Sequence, residues 1–413
     1  MKKVSLIAAA VATTLAAGSA FAVDFNGYMR AGTGISGNGN GDLSVNKAGV
    51  GRLGNENDNY YEFGLAEELK TGEQTWRVES MIAQGNNGSN GWEDGDFNVA
   101  QFAVKAKGVI ASDKEATLWA GKTYYQRKDI HITDFYYLNT SGTGGGIENL
   151  SLGDQKLSLA LIQDGDHDDS TGYIFDARLA NISLGENTSL EFALAYNFAT
   201  DSDDKSESAD DGVLASAILH QGMSNGFHQT IFQYGTNGYG VQAANFWGAG
   251  TYYARGTEAY NNTSGFRAIN WGVMNLGESW EMGHQVAYLS GSDVGGSDAN
   301  GDYTSKNFDI DQYSVVVRPM YKWNDTMRTI FEVGYNAGER IISDKNNPLM
   351  GLDTEDFGNA KFTVAQAWAM GDSFWARPEI RVYGSYILDT EDKDAFNGDD
   401  TEYVFGIQAE AWW

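Results

Sequence analysis

The sequence predicts an all-β fold, a transmembrane antiparallel β-barrel, and three observations carry this prediction. The chain of 413 residues opens with a segment typical of exported proteins. After Val23, no apolar run approaches the ~20 residues that a membrane-spanning helix needs. Apolar residues instead alternate with polar ones in short segments that are separated by stretches rich in Gly, Asn, Asp and Ser. Together these features indicate strands and turns in an exported chain.

The first 22 residues are predicted to be a signal peptide that is removed. Two lysines at positions 2 and 3 precede the apolar stretch Val4–Ala17, and Ala20-Phe21-Ala22 provides a small-x-small cleavage site. An N-terminal membrane anchor is the alternative, but the apolar run is short for a span. We therefore expect a mature chain that begins at Val23.

The end of the chain displays the strand pattern best. One face of this segment is apolar and consists of Tyr403, Phe405, Ile407, Ala409, Ala411 and Trp413. The opposite face carries polar groups such as Gln408 and Glu410. The first mature segment repeats the pattern, because Phe25 and Met29 share one face while Tyr28 and Arg30 share the other. The same alternation predicts one strand from Trp375 to Tyr386, with Arg377 and Glu379 on its polar face.

Aromatic residues indicate which solvent meets each face. Pairs of aromatics fall at predicted strand ends, as expected for girdles at a membrane interface, and these pairs are Tyr60-Tyr61, Tyr124-Tyr125, Tyr136-Tyr137, Tyr252-Tyr253 and Trp412-Trp413. The mean hydropathy of −0.40 is low for a chain rich in strands. A barrel with an apolar outside and a wet, polar interior accounts for both observations.

Length and charge narrow the architecture further. At ~10 residues per strand plus turns and some long loops, residues 23–413 suit roughly 16 to 18 strands around an aqueous channel. No internal repeat or linker divides them, so we expect a single barrel domain. The 56 acidic residues against 28 basic ones disfavour binding to nucleic acid, and the absence of Cys excludes disulfides and thiolate metal sites.

Several segments resemble the maltoporin family of sugar-specific porins. They are the opening Val23–Arg30, Arg52-Leu53-Gly54-Asn55-Glu56, the long stretch Leu118–Leu150, Arg318–Trp323, Gly371–Trp375 with Arg377-Pro378, and the final Trp412-Trp413. The resemblance implies an 18-stranded barrel in the outer membrane of a Gram-negative cell, assembled as a homotrimer in contact with membrane lipid. It implies facilitated diffusion of maltose and maltodextrins, with no enzymatic activity, cofactor or metal. The stretch Leu118–Leu150 would supply an inward-folded constriction loop.

The resemblance also implies an aromatic slide, along which the flat faces of sugar rings would move. Its members in this sequence are Tyr28, Tyr60, Trp92, Phe227, Trp375 and Trp412. Strand phase supports most of them independently: Trp412 shares a face with Glu410, and Tyr28 with Arg30. Trp92 rests on resemblance alone and would reach into the channel of a neighbouring subunit.

A polar track would bind the sugar hydroxyls beside the slide. It consists of Arg30, Arg52, Glu62, Arg127, Asp129 and Asp134, with Tyr136 as the constricting phenol. Guanidinium groups donate several hydrogen bonds to neighbouring hydroxyls, and carboxylates accept from them. The alternative is a ladder of charges that stiffens the channel wall, and both roles are compatible.

Other functions stay open at this point. The family commonly has a cysteine pair in its first loop, which this chain lacks, and Asn98, Leu138 and Asn139 also depart from the usual pattern. A porin for another oligosaccharide such as sucrose, or a non-selective porin, therefore remains an alternative. A barrel enzyme is disfavoured because no local catalytic signature surrounds any of the five His residues.

Overall fold

Eighteen antiparallel strands form the body of the molecule. The computed structural model describes residues 23–37, 39, 43–86, 97–164, 171–200, 209–246, 260–297, 303–344 and 353–413. The barrel strands are β1 (Asp24–Ser36), β2 (Asn59–Thr71), β3 (Gln74–Asn86), β4 (Asn98–Lys107), β5 (Thr117–Thr123), β8 (Gly142–Leu152), β9 (Gln155–Asp164), β10 (Thr171–Gly185), β11 (Thr188–Thr200), β12 (Gly212–Met223), β13 (Gly226–Thr236), β14 (Ser264–Asn275), β15 (Trp280–Ser297), β16 (Tyr303–Lys322), β17 (Met327–Asp344), β18 (Asp353–Ala369), β19 (Glu379–Asp389) and β20 (Thr401–Trp412). Two short strands, β6 (Lys128–Ile130) and β7 (Phe135–Leu138), form a separate two-stranded sheet among the described residues.

The barrel is closed by its first and last strands. Each barrel strand pairs antiparallel with its neighbours along the chain, and β5 pairs with β8 across the short hairpin. Strand β1 pairs with both β2 and β20, so that Tyr28 lies opposite Glu62 on one side and Trp412 on the other. A closed sheet leaves no unpaired edge, which is what a hydrocarbon environment demands of strands. The prediction of an 18-stranded antiparallel barrel is confirmed.

The outside of the barrel is apolar and the inside is polar. On β20 the side chains of Tyr403, Phe405 and Ile407 are 52%, 65% and 49% exposed. The alternate residues Gln408 and Glu410 are each 1% exposed and face the interior. This is the inverse of a soluble sandwich, in which the apolar face would be the buried one.

Outward aromatic residues cluster at the end of the barrel where the connections are short. The rings of Trp280 and Tyr321 lie 5.0 Å apart and those of Tyr321 and Trp323 lie 4.9 Å apart. Trp413 packs beside Phe25 at 5.5 Å. Such a belt matches the level of lipid headgroups.

Two of the aromatic pairs predicted to be girdle residues, Tyr124-Tyr125 and Tyr136-Tyr137, do not lie at the membrane interface. Tyr125 and Tyr137 are each only 1% exposed, and they lie inside the barrel on the segment between β5 and β8. The sequence pattern was misleading because the chain turns inward immediately after β5 instead of passing into a surface loop. Tyr252-Tyr253 lies outside the described residues.

The prediction of one strand from Trp375 to Tyr386 is wrong at its start. Strand β19 begins at Glu379, and Trp375 and Arg377 belong to the connection that follows β18. Pro378 explains the boundary, because it lacks an N–H for the ladder and restricts the backbone of the residue before it.

The described residues of two connections lie inside the barrel. Residues 43–58 of the first connection include the short helix α1 (Lys47–Val50), and backbone carbonyls of this stretch accept hydrogen bonds from the far wall. The carbonyl of Gly49 accepts one from Ser314 at 2.6 Å, and that of Leu53 accepts one from Lys361 at 2.8 Å. A second helix, α2 (Gly238–Ala244), packs against the inner faces of β12 to β15.

Residues 124–141, which we call the inner segment, also contact the far wall. The carbonyl of Ile132 accepts a hydrogen bond from Arg318 at 2.9 Å, and that of Tyr137 accepts one from Arg267 at 2.6 Å. The hydroxyl of Thr133 donates to Gln285 at 2.7 Å. None of the helices in the described residues is long and apolar enough to cross a membrane.

Candidate functional site

A cavity of about 380 Å³ lies between the inner segment and the strands β20, β1 and β2. Its lining residues are Tyr28, Arg30, Arg52, Tyr60, Glu62, Arg127, Asp129, His131, Asp134, Tyr136 and Trp412. Ten of the thirteen residues selected from the sequence are therefore brought together at one place. His131 is the only addition among the lining residues.

One side of the cavity presents aromatic rings. The ring centroids of Tyr28 and Tyr60 lie 6.1 Å apart on the adjacent strands β1 and β2. Trp412 lies directly across from Tyr28 on β20, and the guanidinium carbon of Arg377 is 4.5 Å from the centre of its ring. Strand alternation is what turns these side chains inward, since their neighbours in sequence face outward.

His131 connects Trp412 with Trp375. Its ring centroid is 5.6 Å from that of Trp412 and 5.3 Å from that of Trp375. The guanidiniums of Arg52 and Arg377 approach its two ring nitrogens at 3.4 and 3.3 Å. Burial lowers the pKa of His131 well below its usual range, and the positive charge of Arg52 acts in the same direction. The imidazole is therefore neutral at physiological pH.

Arginines on the cavity wall are held by carboxylates. Arg30 donates two hydrogen bonds to Asp58, at 2.8 and 2.6 Å, and its third nitrogen lies 3.3 Å from Asp134. Arg52 forms ion pairs with Glu56 at 2.8 Å and with Glu410 at 3.0 Å. Bidentate pairing of this kind fixes the direction of the remaining donors.

Glu56 stabilises the first connection from beneath the cavity. It contacts Arg52, Lys47 and Arg30 and is 4% exposed. Burial alone opposes its ionisation, but Arg52, Lys47 and Arg30 together outweigh that effect and hold the pKa of Glu56 well below its usual range. The carboxylate is therefore charged at neutral pH.

Glu62 receives hydrogen bonds from two tyrosines. The hydroxyl of Tyr60 donates to its Oε1 at 2.7 Å, and that of Tyr124 donates to the same oxygen at 2.8 Å. Arg127 and Tyr136 complete this side, with the guanidinium carbon 4.9 Å from the centre of the Tyr136 ring. The acceptor carboxylate of Glu62 and the donor guanidinium of Arg127 thus both lie next to the aromatic rings.

Three predicted residues do not line this cavity. Phe227 lies on the inner face of β13, where its ring makes an edge contact with Trp271 at 5.3 Å. Trp375 is 36% exposed and reaches the cavity only through His131. Trp92 lies outside the described residues.

Sequence reasoning missed several contributors. His131 continues the alternate spacing of Arg127 and Asp129, and this spacing was a usable signal. Lys47 and Asp58 lie in a connection without strand phase, so no periodicity pointed to them. Lys47 nevertheless contacts Asp134 at 2.6 Å.

A closed barrel with an apolar belt outside and a charged, aromatic channel inside defines the protein as an outer-membrane porin. Comparison with protein families identifies the kind of porin. The model of the LamB porin family matches residues 23–413, and the chain belongs to that family.

Relatives of the chain agree with this assignment. The chain is 78% identical to a maltoporin of Vibrio cholerae serotype O1 over 419 aligned positions, covering all of both chains. It is 41% identical to a maltoporin of Photobacterium profundum, covering 98% of each chain. Among solved structures, OpdK of Pseudomonas aeruginosa with vanillate matches with a TM-score of 0.52 at 13% identity, covering 94% of this chain and 98% of that one. That structural likeness concerns the fold only.

Proposed function

We propose that this protein is an outer-membrane channel for the facilitated diffusion of maltose and maltodextrins. The observation that carries the proposal is the cavity in which Tyr28, Tyr60 and Trp412 lie beside fixed charges. A pyranose ring has C–H-rich faces and a rim of hydroxyls, so it fits a surface that offers flat rings next to donors and acceptors. Family membership and the maltoporin relatives support the same substrate.

The charges suit transport because they are already paired. Arg30 and Arg52 keep donors directed at the cavity while carboxylates neutralise their charge, so the wall does not bind any one hydroxyl too tightly. A channel needs binding that is favourable enough for entry and weak enough for exit. The inner segment narrows the passage in this proposal and brings Tyr136 against the sugar.

The proposed site residues are the slide and track members already given. Phe227 and Trp375 extend the slide beyond the cavity, toward the short connections of the barrel. Trp92 acts from a neighbouring subunit, which requires a homotrimer. Native electrophoresis of detergent-extracted protein tests the assembly, and a stable conducting monomer would exclude this role for Trp92.

Swelling of liposomes tests the proposed substrate. Vesicles that contain the protein should admit maltose faster than sucrose, and maltotriose faster than chitotriose, because the two sugars of each pair are of comparable size. Rates that follow only molecular size, equal within each pair, would support a non-selective porin in which the aromatics are structural. Entry of sucrose faster than that of maltose would support a channel for sucrose. The same vesicles should leave the sugars intact, because we propose a channel and no hydrolase.

A further inference from the structure

The guanidinium of Arg127 is held by aromatic rings. Its central carbon lies 3.4 Å from the ring centre of Tyr124 and 4.9 Å from that of Tyr136. Arg30 and Arg52, by contrast, are held by carboxylates. In the part of the chain that the structure describes, no carboxylate oxygen lies within 4 Å of the Arg127 nitrogens. Stacking occupies the faces of a guanidinium and leaves the N–H donors along its edge available.

Tyr124 lies behind the cavity wall and touches two residues that line it. Its backbone N–H donates to Gln101 at 3.0 Å, which anchors it at the end of β5. Its ring packs against the cluster of Met81, Ala83 and Ala100. One side of the tyrosine is thus fixed to the barrel, and the other side faces the polar track.

The hydroxyl of Tyr124 is hydrogen-bonded to the carboxylate of Glu62. It donates a hydrogen bond of 2.8 Å to the carboxylate oxygen that also accepts from Tyr60. Burial and the charge of Glu62 raise the pKa of Tyr124 to about 12. The phenol therefore remains a donor throughout the pH range in which cells live.

We propose that Tyr124 is a positioning residue for sugar binding, because it fixes the Arg127 guanidinium by stacking and the Glu62 carboxylate by hydrogen bonding. A free donor set and an acceptor then face the same stretch of cavity at a constant separation. This arrangement fits a pair of vicinal hydroxyls, one of which accepts from Arg127 while the other donates to Glu62. The inference rests on the proposed function of the channel.

Current block by maltohexaose in planar bilayers tests the proposal with two variants. Tyr124→Leu removes both the stacking surface and the hydroxyl, and we expect block to weaken by about fivefold, which corresponds to ~1 kcal/mol. Tyr124→Phe keeps the stack, so a smaller loss of about threefold is expected from the missing hydrogen bond to Glu62. The loss should appear as faster sugar dissociation, with small-ion conductance unchanged.

The neighbouring Tyr125 provides a matched control. Its ring stacks on Trp119 at 5.2 Å, and its buried hydroxyl has no hydrogen-bond partner in the described structure. Tyr125→Phe should therefore leave sugar block unchanged. A loss equal to that of Tyr124→Phe would mean that any hydroxyl removed near this turn disturbs the loop, and this would overturn the inference.

An Arg127→Lys background separates positioning from a general structural role. An ammonium group does not stack as a planar guanidinium does, so in this background Tyr124→Leu should lose only the about threefold part that comes from the hydrogen bond to Glu62, against about fivefold in the wild-type channel. The same fold-loss in both backgrounds, or unaffected block in Tyr124→Leu alone, would contradict the inference. A wild-type channel that maltohexaose does not block would overturn the proposed function, and the inference with it.

Discussion

Substitution of a single aromatic side chain should change the affinity for sugar without changing small-ion conductance. We expect Trp375→Ala to weaken oligosaccharide block by ~0.5 to 2 kcal/mol, up to roughly thirtyfold in binding constant, because it removes one flat surface beside His131. Small-ion conductance should change little. Titration of maltohexaose against wild-type and mutant channels measures both the binding constant and the conductance. Equal binding constants would mean that Trp375 has a structural role and does not bind sugar.

Residue-level prediction worked where strand phase was the cause. Tyr28 and Trp412 face the channel for the same reason that Phe405 faces lipid, and two-residue alternation predicts both. Trp375 lies beside His131, but strand phase does not explain its position, because it belongs to the connection before β19. Tyr124 was mistaken for a girdle residue because a sequence does not reveal where a loop folds.

At the level of elements, the first connection should depend on a glycine. Gly51 has φ +94°, and an added Cβ would lie 2.3 Å from Oε1 of Glu332, a carboxylate that also binds Lys361. Gly51→Ala should therefore destabilise the connection by on the order of 1–3 kcal/mol from backbone strain alone. Measured unfolding in denaturant should reveal this loss. Gly72→Ala is the control, because Gly72 also has a positive φ of +59° but its added Cβ meets nothing within 4 Å, so a loss there equal to that of Gly51→Ala would exclude the clash with Glu332.

The same connection should make stability depend on pH. The pKa of Glu56 is lowered in the folded state, so its contribution is present above the pKa of the unfolded chain, near ~4.3, and is lost as the pH falls through the lower folded value. Glu56→Gln should be less stable than wild type at neutral pH, and the difference should shrink toward pH 2. Free energies of unfolding between pH 2 and 7 measure this. A difference that stays constant across that range would exclude the ion pairs with Arg52 and Lys47 as its cause.

The positions of the strands are easier to predict from the sequence than the path of a loop. Strands can be predicted from the sequence because the face toward lipid carries apolar residues and the face toward the water-filled interior carries polar ones, as on β20. The inward course of residues 124–141 followed from family resemblance and not from periodicity. Its anchors, such as Arg267 and Gln285, lie more than a hundred residues away in the chain.

For the whole molecule, net charge predicts ion preference. The chain carries a formal charge of −28, and loss of the two lysines with the first 22 residues would make it −30. A negative potential at the channel mouth should favour cations, most strongly at low ionic strength. Reversal potentials under a salt gradient measure the preference, and anion selectivity at low salt would mean that the acidic groups lie away from the ion path.

The central claim is that the lumen binds maltodextrins along an extended row of aromatic and polar groups. Its most direct test is current block of wild-type channels by the maltose series in planar bilayers. A row longer than one sugar ring predicts a binding constant that rises from maltose to longer chains and then levels off once the row is filled. Absence of block, or binding that does not change with chain length, would contradict the claim.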